Sequence, residues 1–129
     1  MKNEAVSYDD VLLKPQYSDI RSRAEIDIST DLGTGLKLEV PIFSSPMDTV
    51  SEKSMAITLG KEGACSIIHR YNNISEQGRH LRMARDIGGD INVGAAIGVT
   101  GDYIERAQSA YECGATFICV DVAHEGCFA

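Results

Sequence analysis

The sequence predicts an α/β fold built on parallel strands. Two observations carry the prediction. Short apolar runs recur at 40–45, 65–68, 91–99 and 116–120, as strands buried on both faces require. Between them lie three stretches with helical apolar spacing, each ended by glycine. The order β-α-β-α-β-α-β implies right-handed crossovers between parallel neighbours. Two architectures take four such strands. One is an open doubly wound sheet; the other is part of a (β/α)8 barrel, which closes with about 250 residues. At 129 residues, the chain has the length of one domain.

The stretch before residue 40 reads as an N-terminal arm with short strands and a turn. Lys14-Pro15, Ser18-Asp19 and Gly33-Thr34-Gly35 are its turn signals. Arg21, Arg23, Glu25 and Asp27 alternate with Ser22, Ala24, Ile26 and Ile28. That period of two predicts a half-buried strand over 23–28. The first apolar strand is Val40-Pro41-Ile42-Phe43-Ser44-Ser45. Ser51 is placed as the N-cap of the first helix, with Glu52 favouring its positive end. Met55, Ala56, Ile57 and Leu59 form that helix's apolar side, and Gly63 stops it. The second strand is 65–68. A second helix spans 75–87, with Gly88-Gly89 as its stop. The third strand, 91–99, is rich in Gly and Ala. Asp102 is the cap of a third helix that runs to Cys113 and stops at Gly114. The fourth strand, 116–120, ends at Asp121. No low-complexity tract or long linker interrupts this rhythm.

Twelve basic residues against nineteen acidic ones give a net charge of −7. That balance lacks the basic footprint of a nucleic-acid binder. No apolar run reaches the roughly 18 residues of a membrane span. Acids in Met1-Lys2-Asn3-Glu4 and Asp9-Asp10 occupy the place of a signal peptide's apolar core. The expectation is a cytoplasmic chain with no nucleic-acid and no membrane partner. Cys65, Cys113, Cys119 and Cys127 form no C-x-x-C pair, so reduced thiols are expected rather than zinc ligands or disulfides.

Both architectures bind ligands at the carboxyl ends of their strands. Those ends are 44–47, 69–71, 97–100 and 121–124. Ser44-Ser45-Pro46-Met47-Asp48-Thr49-Val50 offers two hydroxyls on a proline-stiffened turn, suited to a phosphate or a sugar. It reads equally as a strand-to-helix loop with Ser and Asp as caps. His69-Arg70-Tyr71 offers a planar guanidinium for phosphate and two rings for stacking. The structural alternative is a hydrogen-bonded loop histidine. Gly94-Ala95-Ala96-Ile97-Gly98 is not G-x-G-x-x-G. Its small residues let neighbours pack around a buried strand, and Gly98 would permit close ligand approach. Asp121 could accept from a ribose or cap the next element. His80, with Arg79, Arg82, Arg85 and Asp86, is expected on a solvated helix face.

The ordered motifs carry a resemblance. They are Tyr8-Asp9-Asp10-Val11-Leu12-Leu13-Lys14-Pro15-Gln16-Tyr17-Ser18, Ser44-Ser45-Pro46-Met47-Asp48-Thr49-Val50, Ile67-Ile68-His69-Arg70, Val93-Gly94-Ala95-Ala96 and Val120-Asp121-Val122-Ala123-His124. The chain resembles the IMP dehydrogenase / GMP reductase family as far as about His124. The resemblance implies an α/β fold that is the N-terminal portion of a (β/α)8 TIM barrel. Residues 1–39 would be the arm, 40–124 about four βα units, and 125–129 a tail outside the resemblance. The second helix runs directly into the third strand, so no CBS insertion is expected. The implied chemistry is oxidation of IMP to XMP with NAD. The alternative is reduction of GMP to IMP and ammonia with NADPH, and hence NADP as cofactor.

The resemblance also implies residue roles. Ser45 and Met47 match substrate-binding positions, the Met packing against the purine. Arg70 matches a position that is often basic at the substrate. Asp121 matches an aspartate near the ribose and nicotinamide, and so a cofactor-binding position. The attacking cysteine and the K+ site of the whole enzyme would lie outside this segment, so no catalytic residue is assigned within it. The 129-residue chain is therefore expected to be an N-terminal fragment, inactive alone, of an enzyme that forms homo-oligomers, commonly tetramers. A non-catalytic, nucleotide-binding or self-associating half-barrel is the alternative.

Overall fold

The computed structural model describes residues 6–33 and 35–123. Thr34, His124, Cys127 and the proposed tail 125–129 lie outside the described residues. The N-terminal arm holds two 3-10 turns, Tyr8–Asp10 and Arg23–Glu25, and then an antiparallel hairpin. Its strands are β1 (Thr30–Asp31) and β2 (Lys37–Leu38), with Thr30 opposite Leu38. Gly33 and Gly35 take positive φ in the connecting turn, where a side chain would be strained.

Four strands form the main sheet: β3 (Phe43–Ser44), β4 (Cys65–Ile68), β5 (Val93–Ile97) and β6 (Phe117–Val120). Their order is β3-β4-β5-β6 and every pairing is parallel. The crossovers are α1 (Lys53–Lys61), α2 (Ile74–Gly88) and α3 (Tyr103–Glu112). Neighbouring helices pack on each other, α1 on α2 and α2 on α3, so all three cover one face. A doubly wound sheet would reverse its strand order and place helices on both faces. Sequential order with helices on one face is instead compatible with part of an α/β barrel.

The core lies between the sheet and these helices. Ile68, Val93 and Ala95 meet Ala56, Leu81, Ala84, Ala110 and Cys113. A smaller cluster joins Leu36 and Leu38 of the arm to Cys65 and Phe117 at the amino ends of the strands. The Asn92 side chain donates to the Lys37 carbonyl (2.9 Å) and ties the hairpin there. Between α2 and β5 only residues 89–92 intervene.

Three local expectations are corrected. Residues 23–28 form no strand; Arg23–Glu25 is a 3-10 turn held by Ser22 Oγ, which accepts from Ala24 N–H. Alternation alone does not make a strand without a partner edge, and among the described residues none pairs with this segment. Ser51 does not cap α1, which starts at Lys53; its hydroxyl is buried and spent on the preceding loop. His80 is not solvated: it is buried, and its Nδ1 accepts from Lys53 N–H at 3.2 Å. Helix α2 turns that face toward α1, and the crossing buries the imidazole. Asn73 caps α2, its side chain accepting from Glu76 N–H at 2.8 Å.

Candidate functional site

Parallel strands point all their carboxyl ends the same way, so the loops after β3, β4, β5 and β6 gather at one end of the sheet. They carry Ser45 and Met47, then His69, Arg70 and Tyr71, then Gly98, then Asp121. Ser45 and Met47 are exposed on the first loop, and Thr49 there takes φ 60°. The structure brings Arg70 and Asp121 together: Arg70 Nε is 3.4 Å from Asp121 Oδ2. Register explains the meeting, because β5 pairs with both β4 and β6 and Asp121 N–H still donates to Ile97 O (2.9 Å). The guanidinium lies over Gly98, where an added Cβ would sit 3.4 Å from Arg70 Nη1. It also lies 5.6 Å from the centroid of the Tyr71 ring. Despite its ion pair, Arg70 Nε is shielded from solvent and has no hydrogen-bond partner.

The first loop is held by three hydroxyls. Ser66 Oγ and Ser44 Oγ are 2.7 Å apart, and Ser44 Oγ and Ser51 Oγ are 2.8 Å apart. Ser51 Oγ also donates to the Ser45 carbonyl. Ser51 Oγ is the donor to both Ser44 Oγ and the Ser45 carbonyl, sharing its one proton between them, and Ser44 Oγ links this pair to Ser66 on β4. Ser51, the expected helix cap, instead fixes the backbone of a proposed ligand residue.

Beneath the second and third loops lies a buried polar group. Gln77 Nε2 donates to Ile68 O (3.3 Å), His69 O (3.1 Å) and Ala96 O (2.8 Å). Its Oε1 accepts from Arg106 Nη1 at 3.4 Å. Arg106 in turn donates to Asn72 O (3.0 Å) and grips Asp102 at 2.7 Å. Those bonds hold the Asp102 carboxyl below the usual carboxylate range. Sequence reasoning missed Gln77 and Arg106. The signal available for Gln77 was its place, with Leu81 and Ala84, on the buried stripe of α2.

His69 is buried, as a hydrogen-bonded loop histidine, with Nδ1 accepting from Tyr71 N–H at 3.2 Å. Its Nε2 faces Glu52 at 3.6 Å and Asp48 at 3.7 Å. These three side chains have ligand atoms within 4.8 Å of one another, close enough to suggest a metal. The Tyr71 bond argues otherwise. It leaves the ring proton on Nε2, so a donor rather than a lone pair faces the carboxylates. A metal-binding histidine needs the opposite polarity, with its second nitrogen donating outward.

Burial holds His80 below its ordinary value near 6.5, opposed by the charge of Glu52; Arg79, His69 and Lys53 add to the lowering. The unfolded chain therefore takes up this proton first as pH falls. The contribution of His80 to stability is full above its ordinary value and is lost as pH falls through the folded-state value. Between pH 7 and pH 5 the urea midpoint is expected to drop. The slope from this one group is at most about 1.4 kcal/mol per pH unit. His80→Asn keeps an acceptor for Lys53 N–H without titrating, and should flatten that dependence. Identical pH profiles for both chains would contradict the assignment.

Cys65 and Cys119 are not poised as nucleophiles. Burial pushes Cys65 up to about 11. Burial and the nearby Asp121 charge also raise Cys119. Among the described residues, no helix is long and apolar enough to cross a membrane.

Comparison with known proteins places these features in context. Residues 5–127 match the family model described as the IMP dehydrogenase / GMP reductase domain. The chain is 41% identical over 85 residues to inosine-5'-monophosphate dehydrogenase of Nitrosopumilus maritimus, covering 66% of this chain and 18% of that protein. It is 44% identical over 82 residues to GMP reductase of Leishmania donovani, covering 64% and 17%. Against inosine-5'-monophosphate dehydrogenase of Methanocaldococcus jannaschii it is 45% identical over 82 residues, covering 64% and 16%. In each case the matched part covers less than a fifth of the relative.

Proposed function

Because the chain belongs to the IMP dehydrogenase / GMP reductase family, we propose that it supplies part of the nucleotide site of an enzyme that oxidises IMP to XMP with NAD. Reduction of GMP with NADPH is the second reading, favoured by the chain's 44% identity over 82 residues to a GMP reductase. One observation supports a ligand at the strand ends above the others. Arg70 holds a partly exposed guanidinium beside Asp121 through its shielded Nε, with Nη1 over Gly98. A phosphate or ribose oxygen would take the terminal N–H groups of that guanidinium. In this reading Ser45, Met47 and Arg70 face the purine nucleotide. Asp121 accepts from the ribose of the nicotinamide cofactor. The loops belong to a (β/α)8 barrel completed by further βα units.

The chain alone is expected to give no turnover. The covalent step that the family resemblance implies needs an accessible, low-pKa thiolate, whereas burial raises both Cys65 and Cys119. IMP-dependent NADH formation by the purified 129-residue chain would contradict this. The nucleotide site is tested by grafting residues 5–123 onto the rest of the Bacillus subtilis inosine-5'-monophosphate dehydrogenase, a relative 40% identical over 78 residues. The graft should form NADH from IMP, and Arg70→Ala should lower kcat/KM about tenfold or more, the loss of one charge-assisted hydrogen bond. A folded graft that consumes NADPH with GMP selects the second reading. A folded graft inactive with both nucleotides overturns the proposal.

A further inference from the structure

We propose that Gln77 is a positioning residue for Arg70 and Gly98, acting through the carbonyls that end β4 and β5. At the carboxyl end of a parallel sheet, ladder hydrogen bonds run out and the last carbonyls need other donors. In this sheet the ladder ends at the Ile68–Ala95 pairing between β4 and β5. Gln77 extends it from the helix layer. Its two N–H groups reach Ile68 O and His69 O on one strand and Ala96 O on the next. His69 O belongs to the peptide that leads directly into Arg70. Ala96 is two residues before Gly98. One carboxamide thus sets where both chains leave the sheet, and with that the approach of Arg70 to Asp121 across Gly98.

The carboxamide is itself oriented. Arg106 donates to Oε1, which fixes the N–H groups toward the carbonyls and prevents the flipped amide. Arg106 is held in place by Asp102 and Asn72 O. Gln77 is 1% exposed and all its hydrogen-bonding groups are used, so the arrangement has little freedom. A packing role alone would ask only for a side chain of this volume. The importance of the positioned arginine to nucleotide recognition rests on the proposed function; the positioning itself does not.

The experiment reads Arg70 directly, without a ligand. In the 15N-labelled chain, the Gln77 side-chain amide protons should exchange with water at least tenfold more slowly than in an exposed glutamine. Gln77→Met keeps the volume and removes every donor. It should move the Arg70 Nε–H resonance toward that of an exposed arginine. Leu81→Val, a core change on the same helix, should leave that resonance in place. Arg106→Lys frees Oε1 while keeping the charge, and should raise the Gln77 amide exchange rate even if Gln77→Met fails to fold. Unprotected Gln77 amide protons, an unmoved Arg70 resonance in Gln77→Met, or equal movement in Leu81→Val would overturn the proposal.

Discussion

Leu81→Ala is expected to cost about 2–5 kcal/mol of folding stability, the range for deleting a fully buried leucine. Leu81 is inaccessible to solvent and sits in the cluster with Ile68, Ala84, Val93 and Ala95. Its neighbours on the helix side are small, Ala56, Ala84 and Ala110, so Leu81 fills volume that they leave. Helix α2 cannot collapse into the gap, because Gln77 pins one end to the sheet and Arg85 Nη1 bonds Ile91 O at the other. The cavity term should therefore add to the lost transfer free energy. With a urea slope of roughly 1–3 kcal/mol per molar, the midpoint should fall by at least about 0.7 M. Leu81→Met, which conserves volume, should cost less than about 1.5 kcal/mol. Equal midpoints for Leu81→Ala and the parent chain would show that this core is not packed as described.

Gly94→Val should destabilise the chain by about 1–3 kcal/mol through overpacking, although valine is the better strand former. Gly94 lies opposite Phe117 on β6, and the Phe117 ring lies across it. A Cβ on Gly94 would land within the ring rather than against a flexible side-chain end. The ring cannot simply turn away, since it meets Phe43 edge-on at 5.9 Å and packs with Leu36, Leu38 and Cys65. Phe117→Leu should recover part of the loss. The coupling in the double-mutant cycle should lie between about 0.5 and 3 kcal/mol. Additive effects would show that the two residues do not share this space.

The strand ends show how far sequence reasoning reached into the site. Arg70 and Asp121 were each legible as ligand candidates, but for different partners, one the substrate and the other the cofactor. The structure makes them a pair at 3.4 Å, because β5 brings their strands within one ladder. Ser51 and His80 were legible as the wrong things, a helix cap and a solvated charge. A serine before an acid is the usual cap pattern, and a histidine among arginines the usual exposed one. Neither pattern contains the neighbouring helix or loop that claims the side chain. Gln77 was overlooked because a single polar residue in an apolar stripe barely changes the pattern.

By itself the sequence determined the β-α-β-α-β-α-β order after residue 40, its approximate limits and the end of the sheet at which the candidate residues gather. Those properties are local. Apolar periodicity marks strands and helices, glycine marks helix stops, and parallel crossovers put all the carboxyl ends together. Only the tertiary structure decided that the strands follow sequential order with their helices on one face, an arrangement compatible with part of an α/β barrel. It alone placed Ser51 under the first loop, turned His80 inward, and gave Gln77 its three carbonyls. Such partnerships join residues far apart in the chain, and a buried polar group takes whichever partner the packed elements bring within reach.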